Sequence, residues 1–531
     1  MVPAVRAINW GIVPAYHGWQ GELVETRPET AEAILDAMGA TADEPPPLVA
    51  PDVPDEPCAP APERAWGWAL QLYALRSRES WGVGDLADLR RFGAWARGTG
   101  ASVVLLNPLG AQAPSIPYQR SPYYSSSRRF RNLVYLRVED VAGAQDAALE
   151  PEREAALKLN RERLIDYDRV FELKSSALRK VFEVAPNPRG LATYVAREGA
   201  PLRDFGAFSA ARDAFGNPAE FHVWLQFHLD RQLFRAAREI DLISDVPVGF
   251  NPDGFDASRF RGCFAPRMTV GAPPDEFFRD GQDWGLPPVD PWKLDDARWA
   301  PFLDAIRGAL RHAAGIRLDH VMGLFRLFWI PAGRDPAHGA YVRYPADILL
   351  RLLAHESRRK GAFVIGEDLG LVEPVVREQL DAKGSLSYRL VWFESSHPEQ
   401  WPHDTVAALG THDLPTVAGI WHGTDPEPRL HPLREKLVQL TQLPDATPPV
   451  EVAVNVYAQL ARGRPRIVLA SLEDALGVAE RPNVPGTVDE FPNWRLALPA
   501  TIDEIFAADG PQRIAEVMRE AGRSADPRPR P

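Results

Sequence analysis

Three short phrases place carboxylates where chemistry could happen: Gly315-Ile316-Arg317-Leu318-Asp319-His320, Val364-Ile365-Gly366-Glu367-Asp368-Leu369-Gly370 and Gly410-Thr411-His412-Asp413-Leu414-Pro415-Thr416. In each, an apolar, strand-like run ends on an acid with a Gly or His beside it. Three acids on three strand ends can supply a nucleophile, an acid/base and a third carboxylate gripping a sugar, which is what retaining glycosyl transfer requires. Each phrase also has a plainer reading. Arg317 and Asp319 lie two apart and so point to one side of a strand; they are either a buried ion pair or a nucleophile kept ionised by a guanidinium. Asp368 reads as a loop acid serving nearby amides. Glu367, nearer the strand end, suits proton donation better, because a rim position allows a raised pKa. Asp413 taken alone is a helix cap before Pro415, and His412 an ordinary hydrogen-bonded histidine.

The elements that must position these acids alternate between strand and helix. Strand-like runs at Trp68–Tyr73, Ser102–Leu106, Asp241–Phe250, Gly315–Leu318, Ala362–Ile365, Tyr388–Phe393, Thr405–Leu409 and Ile467–Ala470 number eight, as an α/β chain forming a closed (β/α)8 TIM barrel needs. At about 30 residues per unit the acids fall on strands four, five and seven, all at one end of the barrel. A doubly wound open sheet is the structural alternative, but no GxGxxG or Walker-type loop supports nucleotide use on it. Residues 1–43 read as a small N-terminal segment with a capped helix ending before Gly39. Residues 44–65 are a proline-rich linker, and the catalytic barrel spans 66–531. Within it, 140–240 is a charged, largely helical insertion ending in a helix from Ala219 to Glu239, and 271–292 is a substrate-covering loop.

Composition narrows the function classes. Of 531 residues 45% are hydrophobic and 25% charged, the balance of a soluble globular protein. The formal net charge of −12 argues against nucleic-acid or anionic-membrane partners. Cys58 and Cys263 make no disulfide framework, and no Cys/His spacing suggests zinc, so neither metal nor cofactor is expected. The start lacks a basic region followed by an apolar core, and the stretch Leu324–Ile330 is too short to span a bilayer, so a cytoplasmic location is expected. Trp284, Trp292 and Phe393 are candidate platforms for pyranose faces.

The residues resemble the amylomaltase family, the 4-α-glucanotransferases related to α-amylases, from about Trp66 to Leu498. Beyond the acid phrases, Glu79-Ser80-Trp81-Gly82-Val83-Gly84-Asp85 looks like the family's first βα segment, Ser121-Pro122-Tyr123 like its Ser-Pro-Tyr loop and Ser244-Asp245-Val246-Pro247 like its third-strand motif. Gly271 to Gly285 resembles the substrate-covering loop, and Arg481-Pro482-Asn483 with Asn493-Trp494-Arg495 the late-barrel signature. The resemblance implies Asp319 as nucleophile, Glu367 as acid/base and Asp413 as the third carboxylate. It also implies substrate contacts from Arg317, His412, Asp253, Trp284 and Asn483, with Tyr123 nearby; Asp256 is the alternative to Asp253. The implied reaction moves α-1,4-glucan segments to the 4-hydroxyl of glucose or another glucan, the nucleophile and acid/base standing about 5–5.5 Å apart and no cofactor taking part. An α-glucan hydrolase and a catalytically idle glucan-binding protein are the rivals. Leu414-Pro415 and Leu286-Pro287-Pro288 look like the longer bacterial subtype, with its N-terminal extension reduced to residues 1–43.

Overall fold

Short apolar runs, buried on both faces, build the centre of the molecule. In the computed structural model, which describes residues 2–524 apart from Glu276, Phe277, Leu371 and His431 (backbone alone for Val2, Pro3, Ala4 and Pro428), they are eight parallel strands. These are β1 (Ala65–Leu70), β2 (Val103–Leu106), β3 (Asp241–Val246), β4 (Gly315–Leu318), β5 (Phe363–Gly366), β6 (Ser387–Leu390), β7 (Thr405–Ala408) and β8 (Ile467–Ser471). They pair in the order β5-β4-β3-β2-β1-β8-β7-β6. An Ile365–Leu386 bridge joins the two ends, with the Gly366 and Leu386 amides donating to the Leu386 and Val364 carbonyls at 2.8 and 2.9 Å. The result is a closed (β/α)8 barrel. Ile243, Ile365, Leu390, Val406 and Leu469 fill its interior. Ile316, Leu318 and Val364 face outward, packing with residues of the helices Ala300–Ala309 and Ala346–Lys360. This alternation turns Arg317 toward the barrel axis.

Strand limits follow local chemistry. β1 begins at Ala65, inside the stretch read as linker, because Ala65 is in register with Ile467 of β8. It stops at Leu70, where the Leu72 amide turns to Asn107 Oδ1 at 2.8 Å. β3 ends at Val246 because Pro247 has no amide to continue the ladder.

Five helices, Glu150–Leu159, Tyr167–Val184, Leu191–Glu198, Ala200–Ala210 and Ala219–Ala237, separate β2 from β3. The last stops short of Glu239: the Arg238 and Glu239 amides tighten onto the Arg235 and Ala236 carbonyls as the chain enters β3.

The 271–292 segment is more ordered than a loop. Met268–Ala272 and Gln282–Leu286 pair antiparallel and join Arg326–Pro331 and Ala340–Arg343 in a four-stranded sheet. Glu276 and Phe277, between those two strands in sequence, lie outside the described residues. Ile34, Leu35 and Met38 of the helix Pro28–Met38, which Gly39 ends at φ 72°, pack into the core of this sheet. The proline-rich stretch is pinned along its length: the Val49, Cys58 and Ala59 amides donate to Asp295 Oδ2, the Lys383 carbonyl and Ser357 Oγ at 3.0, 2.7 and 2.9 Å. Among the described residues no helix is long and apolar enough to cross a membrane.

Arg523, fully buried, ties the C-terminal end of the chain to the base of the barrel. Its guanidinium donates to the carbonyls of Ala461, Ala65 and Gly463 at 2.7, 3.2 and 2.8 Å, and burial lowers its pKa to about 9. Arg523→Ala removes a buried guanidinium and its three carbonyl contacts, two of which Arg64 shares at 3.3 and 3.4 Å, and we expect it to cost about 2–3 kcal/mol. A thermal unfolding midpoint unchanged in the variant would contradict this.

Candidate active site

The acids stand where the barrel ladder runs out. The Asp319 amide donates to the Val246 carbonyl and the Glu367 amide to the Leu318 carbonyl, each at 3.0 Å, so both side chains leave from the carboxyl ends of their strands. One step down β4, Arg317 is in register with Asp245 of β3. Its Nη1 donates to both Asp245 oxygens at 2.7 and 2.8 Å and lies 3.0 Å from Asp319 Oδ1. The Tyr123 hydroxyl donates to Asp245 Oδ2 and stands 3.4 Å from His412 Nδ1. His412 Nε2 is 3.2 Å from Asp413 Oδ2, and Asn483 Nδ2 donates to Asp413 Oδ1 at 2.6 Å. A continuous polar chain thus crosses the barrel mouth: Asp319, Arg317, Asp245, Tyr123, His412, Asp413, Asn483. Aromatic packing stiffens it. Tyr123 stacks on His412 with centroids 4.8 Å apart, and Trp494 lies 5.3 and 5.2 Å from the two rings.

Glu367 is held separately. Its Oε2 accepts the His320 amide at 2.7 Å and its Oε1 the Leu369 amide at 3.2 Å. His320 sits in the left-handed region at φ 45°, and the edge of Trp284 packs on its ring at 5.4 Å. The antiparallel hairpin therefore reaches the Glu367 carboxyl through a single residue.

Electrostatics separates the three acids. Burial pushes Glu367 up to about 8; Arg317 and the two amides oppose the shift, and the charge of Asp319 adds to it. Burial also raises Asp319, to about 6, against the pull of Arg317 and with Asp245 reinforcing it. The two carboxyls titrate as a pair, and the shared proton resides preferentially on Glu367. At Asp413 burial works upward too, but His412 and Asn483 outweigh it and hold this carboxyl below its usual value. Its side chain keeps 41% of its surface open, so the carboxylate is walled by protein yet faces the cleft. Of the three, Glu367 is the one burial pushes furthest toward its protonated form, and Asp413 the one held ionised.

Of the residues singled out from sequence, Asp319, Arg317, Tyr123, His412, Asp413 and Asn483 meet in the chain, and Glu367 and Trp284 flank it through His320. Asp253 does not join them: it is exposed on the turn after β3, its amide on Asn251 Oδ1 at 2.8 Å, and its charge acts on Tyr124. Asp256 is structural; it is buried and accepts Ser127 Oγ and the Arg128 amide at 2.9 and 3.0 Å. Asp368 behaves as the loop acid, accepting the Tyr388 amide at 2.8 Å and pairing with Arg377 at 2.9 Å. Asp413 is not the cap of the following helix. Thr416 fills that role, accepting the Gly419 amide at 3.0 Å, which leaves Asp413 to the cleft. Trp292 is engaged elsewhere, its Nε1 donating to the Trp10 carbonyl at 3.1 Å.

Two site residues escaped the sequence reading: Asp245, and Arg481, whose Nη1 donates to the Asp413 carbonyl at 2.8 Å. Asp245 stood in a quoted motif, but a lone strand acid gains meaning only from the strand paired beside it. Its charge raises Asp319, so Asp245→Asn should move the acid limb of the pH–rate profile to lower pH and cost about 10–100-fold in kcat/KM. A limb that stays in place would disprove the coupling.

A parallel barrel with carboxyl groups and aromatic rings at the carboxyl ends of its strands defines a barrel enzyme of the glycosyl-transfer class. A family model described as Glyco_hydro_77, 4-alpha-glucanotransferase, matches residues 70–219 and 215–501. A 4-alpha-glucanotransferase of Mycobacterium tuberculosis (strain H37Rv) is 36% identical, over 89% of this chain and 77% of that protein. One from Haemophilus influenzae is 29% identical, over 87% and 79%. The crystal structure of an amylomaltase from Corynebacterium glutamicum superposes with a TM-score of 0.87 at 25% identity, covering 97% of this chain and 99% of that one. The chain belongs to the 4-alpha-glucanotransferase (amylomaltase) family.

Proposed function

We propose that this enzyme disproportionates α-1,4-glucans by a retaining double displacement in which Asp319 is the nucleophile, Glu367 the acid/base and Asp413 the carboxylate that grips the distorted sugar. Asp319 attacks the anomeric carbon of the donor, and the C1–O bond to the leaving chain breaks as Glu367 hands that oxygen its proton. The 4-hydroxyl of glucose or a second glucan then attacks the glycosyl–Asp319 ester. Glu367 takes the hydroxyl proton, and Asp319 departs as carboxylate. The observation that carries this division of roles is that Arg317 Nη1 lies 3.0 Å from Asp319 Oδ1, favouring its carboxylate, while the buried Glu367 carboxyl is held by the His320 and Leu369 amides and is pushed further up by burial. Arg317, Tyr123, His412 and Asn483 orient the reacting glucose and the carboxylates of the site, and Trp284 shields the Glu367 side from water.

Maltotriose distinguishes this reaction from hydrolysis and from mere binding. We expect glucose together with maltodextrins longer than the substrate, resolved by anion-exchange chromatography. Only shorter sugars would mean a hydrolase, and unchanged maltotriose would mean a binding protein.

A further inference from the structure

The helical insertion carries a cavity of about 380 Å³ that shares no residue with the polar chain at the barrel mouth. One wall is a single face of the helix Ala219–Ala237, where His228, Arg231 and Arg235 recur at helical spacing. Arg189 comes from the turn before the helix Leu191–Glu198, and a Cβ at neighbouring Gly190 would stand 4.0 Å from Arg231 Nη1, so the two arginines belong to one rim. Among the described residues, Arg189, Arg231 and Arg235 form no ion pair within 4.0 Å, a local surplus of positive charge in a chain of formal net charge −12. His228 is 4% exposed, and its Nε2 is buried without a hydrogen-bond partner among protein atoms. Burial, then Arg231 and Arg235, lower its pKa to about 3, so it adjoins the cations as a neutral ring. The lining also includes Asp140 and Glu139, the latter already bonded to the Trp81 indole at 2.9 Å and paired with Arg153 at 3.5 Å.

We infer that this cavity is a second ligand site, taking a small phosphate-bearing molecule, either inorganic phosphate or a hexose phosphate. Unpaired guanidiniums suit a phosphate dianion because their planar forks donate to two oxygens at once. The cavity is sized for a small molecule, not a polymer, and Asp140 offers an acceptor for a sugar hydroxyl.

Calorimetric titration of the full-length enzyme with glucose 1-phosphate, and separately with inorganic phosphate, tests this. Saturable binding is expected, weakened at least about tenfold in Arg231→Gln/Arg235→Gln while maltotriose disproportionation is unchanged. Tighter binding of glucose 1-phosphate than of phosphate identifies a sugar phosphate, and equal binding identifies the free anion. Should the double variant fold poorly, Arg189→Gln, altering one exposed turn residue, must show the same weakening. No binding of either probe to the wild type, or wild-type affinity in the folded variants, overturns the inference.

Discussion

Asp319→Asn is expected to abolish glucan transfer, lowering kcat by about 10⁴-fold or more, which corresponds to about 5 kcal/mol of lost transition-state stabilisation. The amide keeps the shape of the side chain and an oxygen within reach of Arg317, so substrate binding should persist while the covalent ester cannot form. Folding should not suffer. In the folded protein Asp319 is raised to about 6, above its unfolded value, so the stability it contributes is present below the unfolded pKa and lost as pH rises through about 6. An uncharged Asn escapes that loss, and the variant should melt no lower than wild type at pH 7. Appreciable residual turnover of maltotriose in a variant with an intact melting curve would reject Asp319 as the nucleophile.

Glu367→Gln should lower kcat with glucan donors by about 10²–10⁴-fold. The deficit should depend on the leaving group. With α-maltosyl fluoride, whose departure needs little protonation, the first step should survive. A glycosyl–Asp319 ester would then accumulate, because nothing remains to take the proton of the acceptor hydroxyl; mass spectrometry of the intact protein would detect it. Azide, which brings no proton, should discharge the ester. Equal losses with fluoride and glucan donors would remove Glu367 from the proton transfer. The wild-type pH profile follows from the same pair. Activity should fall as pH drops through about 6, where Asp319 takes up a proton, and as pH rises through about 8, where Glu367 gives one up. The variant should lack the alkaline limb.

Both predictions rest on how the fold surrounds two carboxyls, and that surrounding was only partly written in the local sequence. By itself the sequence determined the eight apolar runs, their alternation with helices and the delivery of Asp319, Glu367 and Asp413 from strand ends four, five and seven. All of these are short-range properties: burial on both faces demands an unbroken apolar run, and a period of two sets which side a residue takes. Roles that depend on a distant partner were not legible. Asp245 looked like any strand acid until the β3–β4 register set it opposite Arg317. Asp413 taken alone reads as a helix cap; the fold gave capping to Thr416, releasing Asp413, and put Asp253 on an exposed turn. The covering segment became a hairpin because strands Arg326–Pro331 and Ala340–Arg343 lay ready to extend into a sheet. That hairpin brings Trp284 against His320, whose amide holds Glu367. Whether a carboxyl keeps its proton is decided by the water and charge it has lost or gained from remote segments, and only the tertiary structure sets that.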